Sequence, residues 1–139
     1  MSDSIIIERI WEDDSFFEIK ITAQNENICA ASKVYVQNET IDDLREKIKD
    51  IVSLKESKAF WQAGERGDAT TPSVSLEFAR DGRGHVIIDV YMELDDGGKL
   101  SAHNCSFYVK TEMGLLENFA IQLQNLKTDG VGAKAQLSE

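Results

Sequence analysis

The chain has 139 residues, of which 42% are hydrophobic and 29% are charged, enough apolar side chains for one folded core. Aspartate and glutamate total 25 against 15 lysine and arginine residues, which gives a formal net charge of -10. This excess of acids disfavours nucleic acid and anionic membranes as partners, because both attract clustered lysine and arginine. It favours encounter with basic proteins.

The beginning of the chain carries no basic segment, and its apolar run over 5–7 is too short for a signal peptide or a membrane span. Two cysteines, Cys29 and Cys105, do not resemble a disulfide scaffold. We therefore expect a cytoplasmic protein. A disulfide between the two cysteines stays open at this point.

The first third of the chain predicts three strands, over 5–11, 16–23 and 28–37. In the second strand, Phe17 and Ile19 alternate with polar residues, which is the period of a strand with one buried face. Short polar turns separate the strands, so we expect an antiparallel meander.

A helix is predicted next, with Thr40 as its N-cap. Apolar residues recur on one face at helical spacing, and these are Ile41, Leu44, Ile48, Ile51 and Leu54. The face predicts packing against the meander.

The second half repeats this plan. Strands are predicted over 73–78, 86–94 and 100–110, with turns at 81–84 and 95–98. Thr111 is the expected cap of a last helix, whose apolar face is Met113, Leu116, Phe119, Ala120, Leu123 and Leu126.

The predicted fold is α+β, with two βββα units that form an antiparallel sheet, or two merged sheets, and pack both helices on one face. The units are the halves 1–54 and 73–127 of a single domain, 1–127, joined by a long irregular loop over 55–72. The strand ends 34–36 and 107–109 look alike, and the copies lie roughly 72 residues apart. A flexible tail is expected over 128–139.

Catalytic and metal sites are weakly represented. His103 and Cys105 stand two residues apart on one predicted strand, and His85 opens another. A cysteine hydrolase or a metal site needs groups that converge from separate elements. We therefore expect neither an enzyme nor a metal or cofactor, and we interpret Cys105 as a core residue.

Features of an interaction surface are better represented. Aromatic and acidic residues in the long loop and on the outer faces of the predicted strands are the candidate partner-binding residues, and they are Phe60, Trp61, Asp89, Tyr91, Glu93 and Tyr108. Two alternatives stay open: Trp61 could plug the end of the core, and the acids could form an ordinary solvated face.

The arrangement of these elements resembles the small bacterial immunity domains of the WapI-like type. The resemblance rests on the following segments in their order along the chain: Phe17-Glu18-Ile19, Trp61-Gln62-Ala63-Gly64, Gly84-His85-Val86, and Tyr108-Val109-Lys110-Thr111-Glu112 before the last helix. It implies a cytoplasmic protein that blocks a toxin domain, often a basic nuclease, by occlusion and without catalytic residues.

The leading hypothesis is thus a non-catalytic acidic binding protein, in its sharpest form an immunity protein that neutralises a basic toxin domain. One alternative is a small-ligand-binding or enzymatic module with a site near His85, His103 and Cys105. The other is a structural homodimer.

Overall fold

A computed structural model describes residues 3–65, 72–94 and 103–138. The elements in these residues are, in chain order, β1 (Ser4–Glu12), β2 (Phe17–Gln24), β3 (Cys29–Val36), α1 (Asn38–Val52), β4 (Lys58–Ala63), β5 (Val74–Arg80), β6 (His85–Glu93), β7 (Asn104–Glu112), α2 (Met113–Thr128) and β8 (Lys134–Leu137). Neither helix is long and apolar enough to cross a membrane. The predicted turn at 95–98 and the beginning of the last predicted strand lie outside the described residues.

The strands form two antiparallel four-stranded sheets. Sheet A has the order β3-β2-β1-β8, and sheet B has the order β4-β5-β6-β7. The α+β class is confirmed, but a single sheet built from two three-stranded halves is wrong.

Two strands were not predicted. Strand β4 lies inside the supposed irregular loop 55–72, and β8 lies inside the supposed flexible tail 128–139. Both strands are short, and β8 turns only Ala135 and Leu137 inward. Their alternation is too brief to be recognised without the neighbouring strand that completes it.

The duplication is present, with units of βββαβ rather than βββα. The first unit runs from β1 to β4 and the second from β5 to β8. The last strand of each unit pairs with the first strand of the other: β4 with β5, and β8 with β1. Each sheet is therefore completed by the other half of the chain.

The pairing registers correct the predicted alignment of the two copies. Val34 is paired with Ile19 in sheet A as Val109 is with Ile88 in sheet B, and these two valines are 75 positions apart. The helices begin at Asn38 and Met113, which are also 75 positions apart. The look-alike segments 34–36 and 107–109 are thus offset by two residues.

The N-cap of α1 lies three residues before the predicted cap, and that of α2 lies one residue after it. The N-cap of α1 is Gln37, whose backbone N–H donates to the Thr40 hydroxyl at 3.3 Å, and the N-cap of α2 is Glu112 rather than Thr111. The buried faces are Ile41, Leu44, Ile48 and Ile51 in α1, and Leu116, Phe119, Leu123 and Leu126 in α2.

One core joins the two sheets and both helices. Helix α1 packs against β4 and β5, α2 packs against β7 and β8, and the helices contact each other. Between the sheets, the Ser32 hydroxyl donates to the Glu93 carbonyl at 2.8 Å and the Asn25 amide donates to the Tyr108 carbonyl at 2.9 Å. Among the elements of residues 3–65, 72–94 and 103–138, no helix covers the outer face of either sheet.

Candidate functional site

The outer face of sheet B brings together four of the six predicted partner-binding residues. These are Phe60 on β4, Asp89 and Tyr91 on β6, and Tyr108 on β7. Their side chains share one face because they fall on alternate positions of strands whose other positions are buried.

Pairing in the sheet arranges a row across all four strands. Phe60 pairs with Glu77, Glu77 with Asp89, and Asp89 with Tyr108. The two aromatic residues at the ends of the row are 50% and 59% exposed, respectively. The row therefore places two carboxylates between two solvent-facing rings.

The carboxylates of this row are not neutralised within the described part of the chain. Asp89 accepts a hydrogen bond from the Ser106 hydroxyl at 3.3 Å, whereas Glu77 has no hydrogen bond or ion pair there. An unneutralised carboxylate between exposed rings is suited to a cationic group of a partner, because both the charge and the ring faces attract cations.

The next row across the same face of sheet B has a lysine at each end. Lys58 pairs with Ala79, Ala79 with Ile87, and Ile87 with Lys110, so an exposed isoleucine stands beside a lysine rim. The face thus combines an acidic centre, three exposed apolar side chains and basic edges. A mosaic of this kind is typical of a protein interface.

Trp61 does not belong to this surface, and its predicted role as an exposed anchor is wrong. It occupies the inner side of β4, is 1% exposed, and its indole N–H donates to the Thr40 carbonyl at 3.0 Å. The alternative, that Trp61 plugs the core, is the arrangement observed. The segment that contains it is a strand, so adjacent residues Phe60 and Trp61 point to opposite faces.

Glu93 is also not a solvated acid of the outer face. Its side chain lies at the end of β6, is 3% exposed, and accepts hydrogen bonds from the Ser73 backbone N–H at 3.0 Å and the Tyr91 hydroxyl at 3.2 Å. The Ser73 carbonyl accepts in turn from the Glu93 backbone N–H. This carboxylate therefore fastens the start of β5 to the end of β6.

His85, one residue of the enzymatic alternative, lies far from Cys105. Cys105 pairs with Met92 while His85 pairs with Glu112, so they lie at opposite ends of β6 and β7, roughly 20 Å apart at the usual rise per residue. Cys105 packs against the core, and burial raises the pKa of its thiol. Both cysteines are free.

His85 has a local structural partner. Its imidazole lies 3.2 Å from the Asp81 carboxylate, in the turn between β5 and β6. The backbone N–H groups of Arg83 and His85 donate to the same carboxylate and lower the pKa of Asp81. The predicted turn at 81–84 is confirmed, and Asp81 acts as its internal cap.

Other chemistry is poorly supported in the described ranges. They hold no group of three or more histidine, cysteine, aspartate or glutamate residues placed to bind a metal. A groove of 570 Å³ runs between α1 and α2, but its Asp42 and Arg45 are held by Lys127 and Gln124. These charges are engaged with each other rather than directed at a ligand.

Glu77 is the site residue that sequence reasoning did not select. Its signal was present, because it alternates with the buried Leu76 and Phe78. Alternation does not reveal the register that places Glu77 between Phe60 and Asp89.

Comparison with protein-family models, curated proteins and solved structures finds no match to this chain.

Proposed function

We propose that the chain is a non-catalytic binding protein that neutralises a basic protein domain by covering it with the outer face of sheet B. The observation that carries the proposal is the row of Phe60, Glu77, Asp89 and Tyr108, in which exposed rings flank unneutralised carboxylates. The resemblance to immunity domains specifies the class of the proposed partner further, as a toxin domain.

Charge complementarity supports a basic partner. The net charge of -10 accelerates encounter with a positive surface, and the two central carboxylates then select the orientation. Phe60, Ile87 and Tyr108 supply apolar area around them, which is where the affinity of an interface concentrates. Lys58 and Lys110 favour a partner with acids around a basic centre.

The experiment has two stages. The tagged protein is used to capture a stoichiometric partner from its host at low salt, where such complexes are tightest. Association and dissociation rates are then measured for Glu77→Gln with Asp89→Asn, for Tyr108→Ala, and for Asp43→Asn with Glu46→Gln, two exposed acids of α1, as a charge-matched control away from the face.

The acid pair should lower the association rate by roughly three- to tenfold at low salt, and Tyr108→Ala should raise the dissociation rate about tenfold. The control pair should change either rate less than about twofold. If the variants of this face leave the rates with a captured partner unchanged, the interface lies elsewhere on the protein. Absence of any stoichiometric basic partner would overturn the proposed function.

A homodimer is the second candidate, and one observation favours it. Ile121 is exposed on α2 beside the interhelical groove, where Val52 of α1 is only partly covered. Light scattering on the purified protein distinguishes the two, since Ile121→Lys should dissociate a helix-mediated dimer. A monomer at high concentration rejects this candidate.

A further inference from the structure

The outer face of sheet A carries a second concentration of exposed aromatic residues. Trp11 on β1, Phe16 just before β2 and Tyr35 on β3 are 44%, 45% and 49% exposed, respectively. The rings of Trp11 and Tyr35 are nearly perpendicular, at 85°, with their centroids 5.8 Å apart. The two rings meet edge to face and form a corner, and each of them is nearly half exposed.

A single carboxylate stands at the centre of these rings. Glu18 on β2 pairs with Trp11 on one side and with Tyr35 on the other, and the exposed Phe16 is two residues before it in the chain. Its side chain is half-buried. It therefore has an aromatic neighbour on each adjacent strand, and a third aromatic residue precedes it in the chain.

Glu18 has no cation of its own. Within residues 3–65, 72–94 and 103–138, no lysine, arginine or histidine lies within ion-pair distance of it, and it accepts no hydrogen bond. Lys20 is two residues along the same face, with Glu8 and Lys33 opposite it on the adjacent strands, and it makes no ion pair with Glu18. This carboxylate is therefore available to pair with a cationic group of a partner.

The backbone is modified to build this corner. A β-bulge between Arg9 and Trp11 adds one residue to β1, so that Trp11 rather than Ile10 stands opposite Glu18. Without the extra residue, strand alternation would turn Trp11 to the inner face. In the turn of the same hairpin, the Asp13 carboxylate accepts from the Phe16 backbone N–H at 2.7 Å and holds the backbone at Phe16.

We propose that Trp11, Tyr35, Phe16 and Glu18 form a receptor for one arginine side chain of a basic polypeptide. A guanidinium group stacks on aromatic faces and presents two parallel donors to a carboxylate, so one group satisfies both features of the corner. The net charge of -10 attracts a polypeptide of opposite charge. The proposal deepens the proposed function by adding a second contact surface, and it rests on that function only for the partner's identity.

The test uses short peptides, so it does not depend on capturing a partner. Tetra-arginine and tetra-lysine peptides are titrated into the full chain and followed by the two indole N–H resonances. The Trp11 resonance should shift on saturation, whereas that of Trp61, which is 1% exposed, should not. Tetra-arginine should bind about three- to tenfold more tightly than tetra-lysine.

Glu18→Gln keeps the shape of the side chain and removes its charge, and it should weaken tetra-arginine binding by about five- to tenfold. Glu26→Gln, in the exposed turn between β2 and β3, removes the same charge and should change it less than about twofold. An unshifted Trp61 resonance in each variant shows that the core is intact.

Equal affinity for the two peptides, or equal losses in the two variants, would overturn the receptor, because general attraction to an acidic protein produces both results. A Trp11 resonance that does not respond would also overturn it. None of these results bears on sheet B, whose test uses different residues and the captured partner.

Discussion

Arg9 is the residue whose substitution tests most directly how the two ends of the chain are held together. It is 9% exposed on β1, and its guanidinium donates to the carbonyl of Leu126 in the last turn of α2 at 2.7 Å. The same group lies 4.0 Å from the centre of the Phe17 ring and 3.5 Å from the Glu12 carboxylate. A cation at this position also complements the negative end of the helix.

Three contributions are lost when Arg9 is replaced by methionine, which has a similar length and no charge. The charged hydrogen bond contributes about 1.5–3 kcal/mol, and the ring contact about 0.5–2 kcal/mol. The pair with the more exposed Glu12 adds at most about 1 kcal/mol. Methionine regains part of this, because a buried guanidinium loses its hydration and Nε has no partner.

We therefore expect Arg9→Met to lower the free energy of unfolding by about 2–3 kcal/mol. For a chain of this size the melting temperature should fall by about 6–15 °C. Lys20→Met, on the exposed face of the neighbouring strand, is the matched control and should lie within about 0.5 kcal/mol of the wild type. Arg9→Lys should fall between the two, because it keeps a charge but loses the planar stack.

Melting followed by circular dichroism, together with urea unfolding, measures these differences. If Arg9→Met melts at the temperature of Lys20→Met, the buried guanidinium contributes no net stability. Arg9 would then not be a stabilising link between β1 and α2.

Three further predictions follow from the fold and from individual groups. Deleting residues 134–139 removes β8, which pairs with β1 and buries Ala135 and Leu137. The urea midpoint of unfolding should fall sharply, or the transition should lose its cooperativity, whereas deletion of 138–139 alone should leave the midpoint unchanged. An unchanged midpoint after the longer deletion would mean that β8 is dispensable for stability. A thiol reagent at pH 8 should modify the exposed Cys29 well before Cys105, whose thiol is shielded and whose pKa is raised by burial; similar rates would contradict this order. The pKa of Asp81, lowered by the N–H groups of Arg83 and His85, should lie below 3.8 in a carboxyl titration by NMR. Because the pKa of Asp81 is depressed in the folded protein, the charged carboxylate stabilises the turn above pH 3.8, and this stabilisation is lost as the pH falls through the folded pKa. Asp81→Asn should remove this pH dependence of stability. A measured pKa of Asp81 at or above 3.8 would contradict the prediction.

The alternation of apolar and polar residues identified most of the fold in advance. The faces of β2, β5 and β6 and the buried stripes of both helices are where the sequence places them, because burial on one side imposes a period that is visible in the chain itself. The same period placed Asp89, Tyr91 and Tyr108 on an outer face.

Short segments were decided only by their surroundings. Strand β4 carries Trp61 inward and Phe60 outward, whereas the irregular loop that the sequence predicts there does not separate the two side chains. Glu93 follows the outer-face alternation of β6, yet the backbone of Ser73 covers it and supplies a donor. A carboxylate can be buried where hydrogen-bond donors satisfy it. The sequence around Glu93 does not reveal these donors, because Ser73 lies on another segment of the chain.

By itself, then, the sequence determined the types of the described elements other than β4 and β8, most of their inward faces and the repetition of a strand-rich unit with a helix, because these depend on local periodicity. Tertiary structure alone decided that two sheets form rather than one, with β8 joined to β1 and β4 joined to β5. It also decided that Glu77 stands between Phe60 and Asp89, and that a bulge turns Trp11 toward Glu18. Pairing and register join residues far apart in the chain, and their energies depend on the partner strand rather than on the segment alone.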